Sequence, residues 1–347
     1  MKIVYTIGTL MVGGAEVFLV NLISNLNLSK YDVTVIVLDK ENHTYLEERL
    51  HTLNVKVYFL EKKPGFSIRT FLKMTKLLKE IKPDIIHGNI GGMIYSLPYI
   101  FLYKVKAIHT MHTNPQIEYG KLKRKILKFF YKREKIIPVV ISKENLNIFL
   151  DIYKLKKVYL IHNGIELKKF LKKHQFANEI IRIGHVGRFE EVKNHKVIFQ
   201  VYEKLKAKGY KVSLKLIGNG SLFAYYQKLY PEVTFIQNSN EVEKELESID
   251  FFLFPSLYEG FPLAIIEAMA SGLVIIASNI SGIKELIIDG KNGFKIDVND
   301  VDGYVEKIEK IFLDSKLKLS ISTNNNYSAK RYSIEEMVRK YEKLYKE

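Results

Sequence analysis

Along this chain, short apolar runs rich in β-branched residues alternate with longer segments in which apolar positions recur every three to four residues. That alternation predicts parallel sheets with crossover helices. Strands are expected near 2–7, 32–38, 56–60, 84–87, 105–110, 137–141 and 157–161. A second series is expected near 181–187, 211–217, 232–236, 250–254, 273–277 and 293–296. The two series are separated by residues 166–179, a polar, lysine-rich stretch that reads as an interdomain linker. Residues 333–346 pattern as a charged amphipathic helix able to return across the boundary. No tandem repeat or low-complexity tract interrupts the alternation.

Composition narrows the picture. With 347 residues, 47% of them hydrophobic, the chain is long enough for two well-buried α/β domains. It has no cysteine, which excludes a disulfide framework, thiol catalysis and cysteine-ligated zinc. The first seven residues read as a strand with no secretory signal pattern, and the longest apolar stretches are too short (90–103) or broken by Glu267, Ser271 and Gly272 (263–280). A soluble or peripheral cytoplasmic protein is therefore expected. The net charge of +16 is held entirely by residues 1–175, while 176–347 net to zero. Such asymmetry implies an anionic partner for the first half, either a membrane surface, a phosphorylated acceptor or nucleic acid.

In open parallel sheets ligands bind beyond the carboxyl ends of the strands, and the unusual residues of this chain fall there. The run from Ile183 to Asn194 passes from a strand into a loop carrying Arg188 and Lys193, two cations suited to a diphosphate, although solvated surface cations are common in so lysine-rich a chain. Gly218, Asn219 and Gly220 end the next strand and allow close backbone approach, to a ligand or in an ordinary turn. After the strand near 250–254, a loop carries Glu259, and a helix beginning near Pro262 carries Glu267. Gly260, Phe261 and Leu263 would offer free N–H groups there, as a phosphate seat. In the first half, Gly13 and Gly14 precede a helix with Glu16 in its first turn. Their spacing fits neither the dinucleotide fingerprint nor a P-loop. His112 and His87 stand at strand ends, while His109 reads as structural. Residues 121–135 carry eight basic residues against Glu134 alone, with Leu122, Ile126, Phe129 and Phe130 at helical spacing. A membrane-surface helix that uses Lys121, Lys123, Arg124, Lys125, Lys128, Phe129, Phe130, Lys132 and Arg133 competes with an ordinary helix whose stripe is core.

Arg188 with Lys193, then Glu259–Gly260 and Glu267, together with Gly13-Gly14-Ala15-Glu16, resemble the retaining GT-B glycosyltransferases of family 4. The resemblance implies two Rossmann-like domains with a cleft between them: an acceptor domain over 1–170, a donor domain over 171–328, and a C-terminal helix, 329–347, packing back on the first. It also implies transfer of a hexosyl or N-acetylhexosaminyl group from a nucleoside diphosphate sugar, UDP favoured, to a hydroxyl with retention of configuration. The acceptor would be a lipid-linked glycan in capsular or exopolysaccharide synthesis. Arg188 and Lys193 would hold the diphosphate in place of a metal ion, Glu267 the ribose and Glu259 the sugar, with His112 at the sugar and Glu16 and His87 on the acceptor side. No cofactor and no metal are expected. Gln237 departs from the family pattern, which often has glycine after that strand, where the nucleobase is met. Rival readings are a nucleotide-sugar epimerase or a phosphorylase-like enzyme on the same architecture. A non-catalytic sugar-binding subunit and a nucleic-acid-binding protein complete the set, though no nucleic-acid-binding signature is found and no nucleic-acid partner is expected.

Overall fold

A computed structural model describes residues 1–347 except Val12, Lys156, Lys172, Lys173, Asn178, Asn238 and Asn240. The chain divides into two units: 1–164 with 334–347, and 165–333.

Unit 1 begins β1 (Lys2–Ile7), α1 (Gly14–Ser24), β2 (Asp32–Val37), α2 (Tyr45–Thr52), β3 (Lys56–Phe59) and α3 (Ile68–Ile81). It continues β4 (Ile85–Gly88), α4 (Gly92–Leu102), β5 (Lys106–Met111), α5 (Lys121–Lys132), β6 (Ile137–Val140), α6 (Lys143–Tyr153) and β7 (Tyr159–Leu160). All seven strands are parallel, in the order β3-β2-β1-β4-β5-β6-β7. Alternate residues of the sheet enter different cores, as period-2 geometry requires. Tyr5, Ile7 and Val35 pack with Phe18 and Leu50 of α1 and α2, whereas Val4, Ile36 and Ile86 pack with residues of α3 to α6.

Unit 2 runs α7 (Leu167–Phe170), β8 (Ile181–Val186), α8 (His195–Ala207), β9 (Val212–Ile217), α9 (Phe223–Leu229), β10 (Thr234–Ile236), α10 (Val242–Leu246) and β11 (Phe251–Phe254). Then come α11 (Leu263–Ala270), β12 (Val274–Ser278), α12 (Ser281–Lys284), β13 (Phe294–Ile296), α13 (Val301–Phe312) and α14 (Ser315–Ala329). Its parallel sheet has the order β10-β9-β8-β11-β12-β13. The near-continuous apolar strands, such as Phe251–Phe254, are buried on both sides, as sheets covered by helices on both faces demand.

The last helix, α15 (Ile334–Lys346), belongs to unit 1, where Ile334, Met337, Tyr341, Leu344 and Tyr345 join the core beside Phe18. The expected linker is structured at its start. Leu167 and Phe170 are buried, and α7 packs on α11, so the unit boundary falls at 164/165 rather than after 170. Lys172, Lys173 and Asn178, also within that stretch, lie outside the described residues. Among the described residues no helix is long and apolar enough to cross a membrane.

Candidate functional site

In each sheet the strand order reverses once, between β1 and β4 in unit 1 and between β8 and β11 in unit 2. Such reversals open a crevice at the carboxyl ends, because successive crossovers there leave toward opposite faces. Most of the sequence-selected residues sit at these two places.

In unit 2, Arg188 follows β8 and is exposed. Its loop is stapled to the one after β9. The Phe189 N–H donates to the Asn219 carbonyl (2.9 Å), and the Leu222 N–H donates to the Phe189 carbonyl (2.9 Å). Glu190 accepts from the Ser221 N–H (3.1 Å) and hydroxyl (2.9 Å), bonds that hold its carboxyl below the usual range. This staple explains the glycines. A Cβ on Gly218 would stand 2.0 Å from the Gly187 carbonyl oxygen, and one on Gly220 would stand 2.6 Å from that of Phe189. Gly218 and Gly220 are therefore required by loop-on-loop packing, as in the ordinary-turn reading of these residues. Asn219 Oδ1 accepts from the Gly220 N–H (2.8 Å) and from Gln237 Nε2 (3.1 Å), so Gln237, the departure from the family pattern, braces this loop.

Lys193 closes a short 3-10 turn, Glu191–Lys193, and donates to Glu259 Oε1 at 2.5 Å, with the ammonium also 5.0 Å from the Phe254 ring centroid. The resemblance gives Lys193 the diphosphate and Glu259 the sugar, and in the fold the two side chains pair directly. β8 and β11 are adjacent, and a Leu257 N–H to Val192 carbonyl bond (2.8 Å) draws the loops together. The Glu259–Gly260 backbone lies against Gly282 of α12, where a Cβ would stand 2.2 Å from the Glu259 carbonyl oxygen. Gly282 went unnoticed in the sequence because nothing but this tertiary contact marks it.

Pro262 is the N-cap of α11 rather than its first helical residue, and no side chain caps that end. The first-turn N–H groups at Leu263 and Ala264 thus face outward with the positive end of the helix dipole. Phe261 is buried, its ring 5.6 Å from that of Tyr332. Glu267, one turn further on, has no side-chain hydrogen-bond partner among the described residues. Burial pushes its carboxyl up to about 7, with the Glu243 charge adding to the rise.

In unit 1, Gly13 is the N-cap of α1. A Cβ there would meet Glu16 Oε2 at 2.6 Å, whereas one on Gly14 would meet nothing within 4 Å. Glu16 is buried, with Oε2 lying over Gly13. His112 follows β5, 7% exposed, with its ring edge-on to Phe18 at 4.7 Å. Its Nε2 lies 2.8 Å from Asn89 Oδ1, and the Asn89 amide nitrogen donates to the His87 carbonyl. Asn89 is thus oriented as acceptor, so Nε2 carries the proton and Nδ1, which has no partner, keeps a lone pair. Burial, then the neighbouring His109, lowers this imidazole to about 3, so it is neutral at ordinary pH. Asn89 itself was not legible in the sequence, since a single asparagine after a strand carries no motif.

His87 is no acceptor-side residue. It is fully buried, bonded through Nδ1 to the Tyr345 hydroxyl (2.9 Å) and through Nε2 to Thr110 (2.7 Å), and it anchors α15 to the sheet. His109 is likewise internal, with Tyr131 at 2.6 Å and Tyr119 at 3.2 Å.

Along α5 the core takes Leu127, Phe130 and Tyr131, so Phe130 is removed from the expected membrane set. Leu122, Ile126 and Phe129 form a neighbouring stripe that is exposed. Lys128 is half-buried and donates to the Ile152 carbonyl of α6 (3.3 Å), which removes it as well. Lys121, Lys123, Lys125, Lys132 and Arg133 are exposed, Arg124 half-buried.

Comparison with known proteins follows the same division. Residues 12–169 match the Glycosyltransferase Family 4 model and 167–328 match Glycosyl transferases group 1. Among curated relatives, an Escherichia coli UDP-Gal:alpha-D-GlcNAc-diphosphoundecaprenol alpha-1,3-galactosyltransferase is 26% identical, over 80% of this chain and 79% of its own. A Campylobacter jejuni N-acetylgalactosamine-N,N'-diacetylbacillosaminyl-diphospho-undecaprenol 4-alpha-N-acetylgalactosaminyltransferase is also 26% identical, over 95% and 94%. Among solved structures, Anabaena HepE in complex with UDP superposes with a TM-score of 0.82 over 99% of both chains, at 16% identity. With two parallel-sheet Rossmann-like units and a family model on each, the chain belongs to the GT-B glycosyltransferases of family 4.

Proposed function

We propose that this glycosyltransferase moves a hexosyl or N-acetylhexosaminyl group from a UDP-sugar to a hydroxyl of a lipid-linked glycan, with retention of configuration. The observation that carries the donor half is the set at the β8/β11 reversal. It combines an exposed guanidinium on Arg188, a Lys193–Glu259 pair, an uncapped helix start and a partnerless carboxyl on Glu267. A diphosphate answers the two cations and the free N–H groups, and a ribose diol answers a lone carboxylate, which accepts two hydroxyl donors. The nucleobase is supported by the UDP complex of HepE and by the UDP-Gal donor of the Escherichia coli relative. The lipid-linked acceptor is supported by the diphosphoundecaprenol substrates of both relatives.

In this mechanism the β-phosphate leaves from the anomeric carbon while the acceptor oxygen attacks the same face, and the leaving phosphate oxygen takes the acceptor proton. Arg188, Lys193 and the start of α11 stabilise the charge that develops on the leaving group, where preorganised donors act most strongly. Lys193 then divides its charge between phosphate and Glu259, which turns to the sugar hydroxyls. The neutral His112 of unit 1 offers Nδ1 as a hydrogen-bond acceptor. No metal is required, so turnover is expected to be unchanged by a chelator.

Thermal-shift titration with UDP, GDP and ADP tests the nucleotide, and UDP release from UDP-sugars with diphospholipid-linked saccharides tests transfer. Stabilisation by UDP and acceptor-dependent release are expected. Stabilisation by none of the three nucleotides defeats the donor assignment, and donor turnover that is indifferent to acceptor favours the epimerase alternative.

A further inference from the structure

Unit 1 does not spread its charge evenly. Its sheet is covered on one side by α1, α2 and α15 and on the other by α3 to α6. Helices α1, α2 and α15 carry Glu16, Glu47, Glu48, Glu335, Glu336 and Glu342 against five cations, so that side is close to neutral. On the other side, α3 to α6 carry eleven cations against Glu80, Glu144 and Asp151. More than half of the excess charge of the first half of the chain thus sits on α3 and α5 of this layer.

That same layer exposes large apolar side chains where a solvated helix would place polar ones. On α3, Ile68 (66% exposed) and Leu72 (67%) are one turn apart, with Phe66 just before them. On α5, Leu122 (72%), Ile126 and Phe129 make a second outward stripe at i, i+4, i+7. Phe101 and Leu102 end α4, and the Phe101 ring lies 6.4 Å from that of Phe130 on α5. α3 packs along α4, so the stripes belong to one continuous surface. Cations border the apolar positions directly. Arg69 and Lys73 alternate with Ile68 and Leu72, Lys121, Lys123 and Lys125 flank Leu122 and Ile126, and the Arg133 guanidinium sits 3.7 Å over the Phe129 ring. Amphipathic helices with aromatic and aliphatic residues amid lysines lie in the interface of a bilayer, apolar tips among the acyl chains and cations at anionic head groups.

We infer that the outer layer of α3, the end of α4, and α5 is a docking face for an anionic lipid bilayer. The sequence marked only α5; the fold adds Phe66, Ile68, Leu72, Phe101 and Leu102 to it. The inference rests on the surface alone and goes beyond the proposed transfer reaction. It is therefore tested with neither donor nor acceptor present.

The test is co-sedimentation of the full chain with large unilamellar vesicles of phosphatidylcholine, alone or with 30% phosphatidylglycerol. Binding is expected to the anionic vesicles, weakening with salt. Removing one exposed cation should weaken partition about fivefold, so the triple variant Lys121→Gln/Lys125→Gln/Lys132→Gln should lose roughly 100-fold. The triple variant Leu122→Ser/Ile126→Ser/Phe129→Ser should lose a comparable factor. The variant Tyr225→Ser/Leu229→Ser, which removes equally exposed residues from α9 of unit 2, should lose nothing. An unchanged thermal transition and an unchanged far-ultraviolet circular dichroism spectrum establish that each variant is folded. Equal binding to neutral and anionic vesicles, no binding to either, or equal loss in the α9 variant overturns the inference. Retention on nucleic acid without vesicle binding overturns it too.

Discussion

Past β8 and β11, unit 2 leaves Arg188 in solvent and Glu267 without a partner, whereas past β1, β4 and β5 unit 1 uses almost all its polar atoms internally. There Glu16 lies over Gly13, His87 is bonded on both nitrogens, and His112 retains one free atom, Nδ1. The two crevices share a topology and differ in what they hold ready. An unpaired, half-buried carboxyl is costly in the empty protein and stabilising only when a ligand supplies hydroxyls. A saturated network offers stiffness instead. Unit 2 thus keeps an exposed cation and a carboxyl available to a ligand, and unit 1 the Nδ1 of His112.

The sharpest way to break this comparison is Arg188→Ala. If unit 2 carries the leaving-group charge, kcat falls about 100- to 1000-fold, equivalent to roughly 3–4 kcal/mol, in steady-state assays. A loss within threefold removes the asymmetry between the units.

Glu267 comes next. Its raised pKa means that the empty fold favours the protonated form. The associated stability is complete below the ordinary carboxyl value and is lost as pH rises through about 7. The thermal midpoint of the wild type should therefore fall between pH 5 and 8, and Glu267→Gln should flatten that slope, gaining up to about 3 kcal/mol at pH 8. The same variant should bind UDP about tenfold more weakly. A flat wild-type profile would mean that Glu267 finds a partner in solution.

The glycines separate packing from binding. Gly218→Ala forces a Cβ into the Gly187 carbonyl at a φ of +153°, and about 1–3 kcal/mol of destabilisation is expected in denaturant unfolding. Gly14→Ala has open space around it and should change stability by less than about 0.5 kcal/mol while lowering turnover if this turn takes part in binding. The reverse pattern would exchange the two roles.

The smallest effect is expected at Asn89. Asn89→Ala frees the His112 ring and removes a bond worth about 1 kcal/mol, seen as a severalfold rise in donor KM with kcat little changed. Because His112 is held neutral down to about pH 3, neither the wild type nor this variant should show an imidazole limb between pH 5 and 8.

The thirteen strands of the described residues were legible from the sequence, because parallel strands covered by helices must be short and largely apolar and their neighbours must be amphipathic. The candidate donor-site residues stood out for a related reason. Residues just past a strand are free of core constraints, so Arg188, Glu259 and Glu267 stand out against the apolar runs around them. The charge split was legible too, being a matter of counting. Partner choice across long separations was not. The Lys193–Glu259 pair spans 66 positions and the His87–Tyr345 bond 258, and no local spacing encodes either. Nor could the period of α5 tell which of two adjacent stripes meets the sheet. Packing chose Leu127, Phe130 and Tyr131 and left Leu122, Ile126 and Phe129 outside. Periodicity and composition thus determined the elements, their order and the chemistry at the strand ends. Only the tertiary structure decided which polar groups are saturated and which apolar faces remain uncovered, because both depend on what distant segments bring into contact.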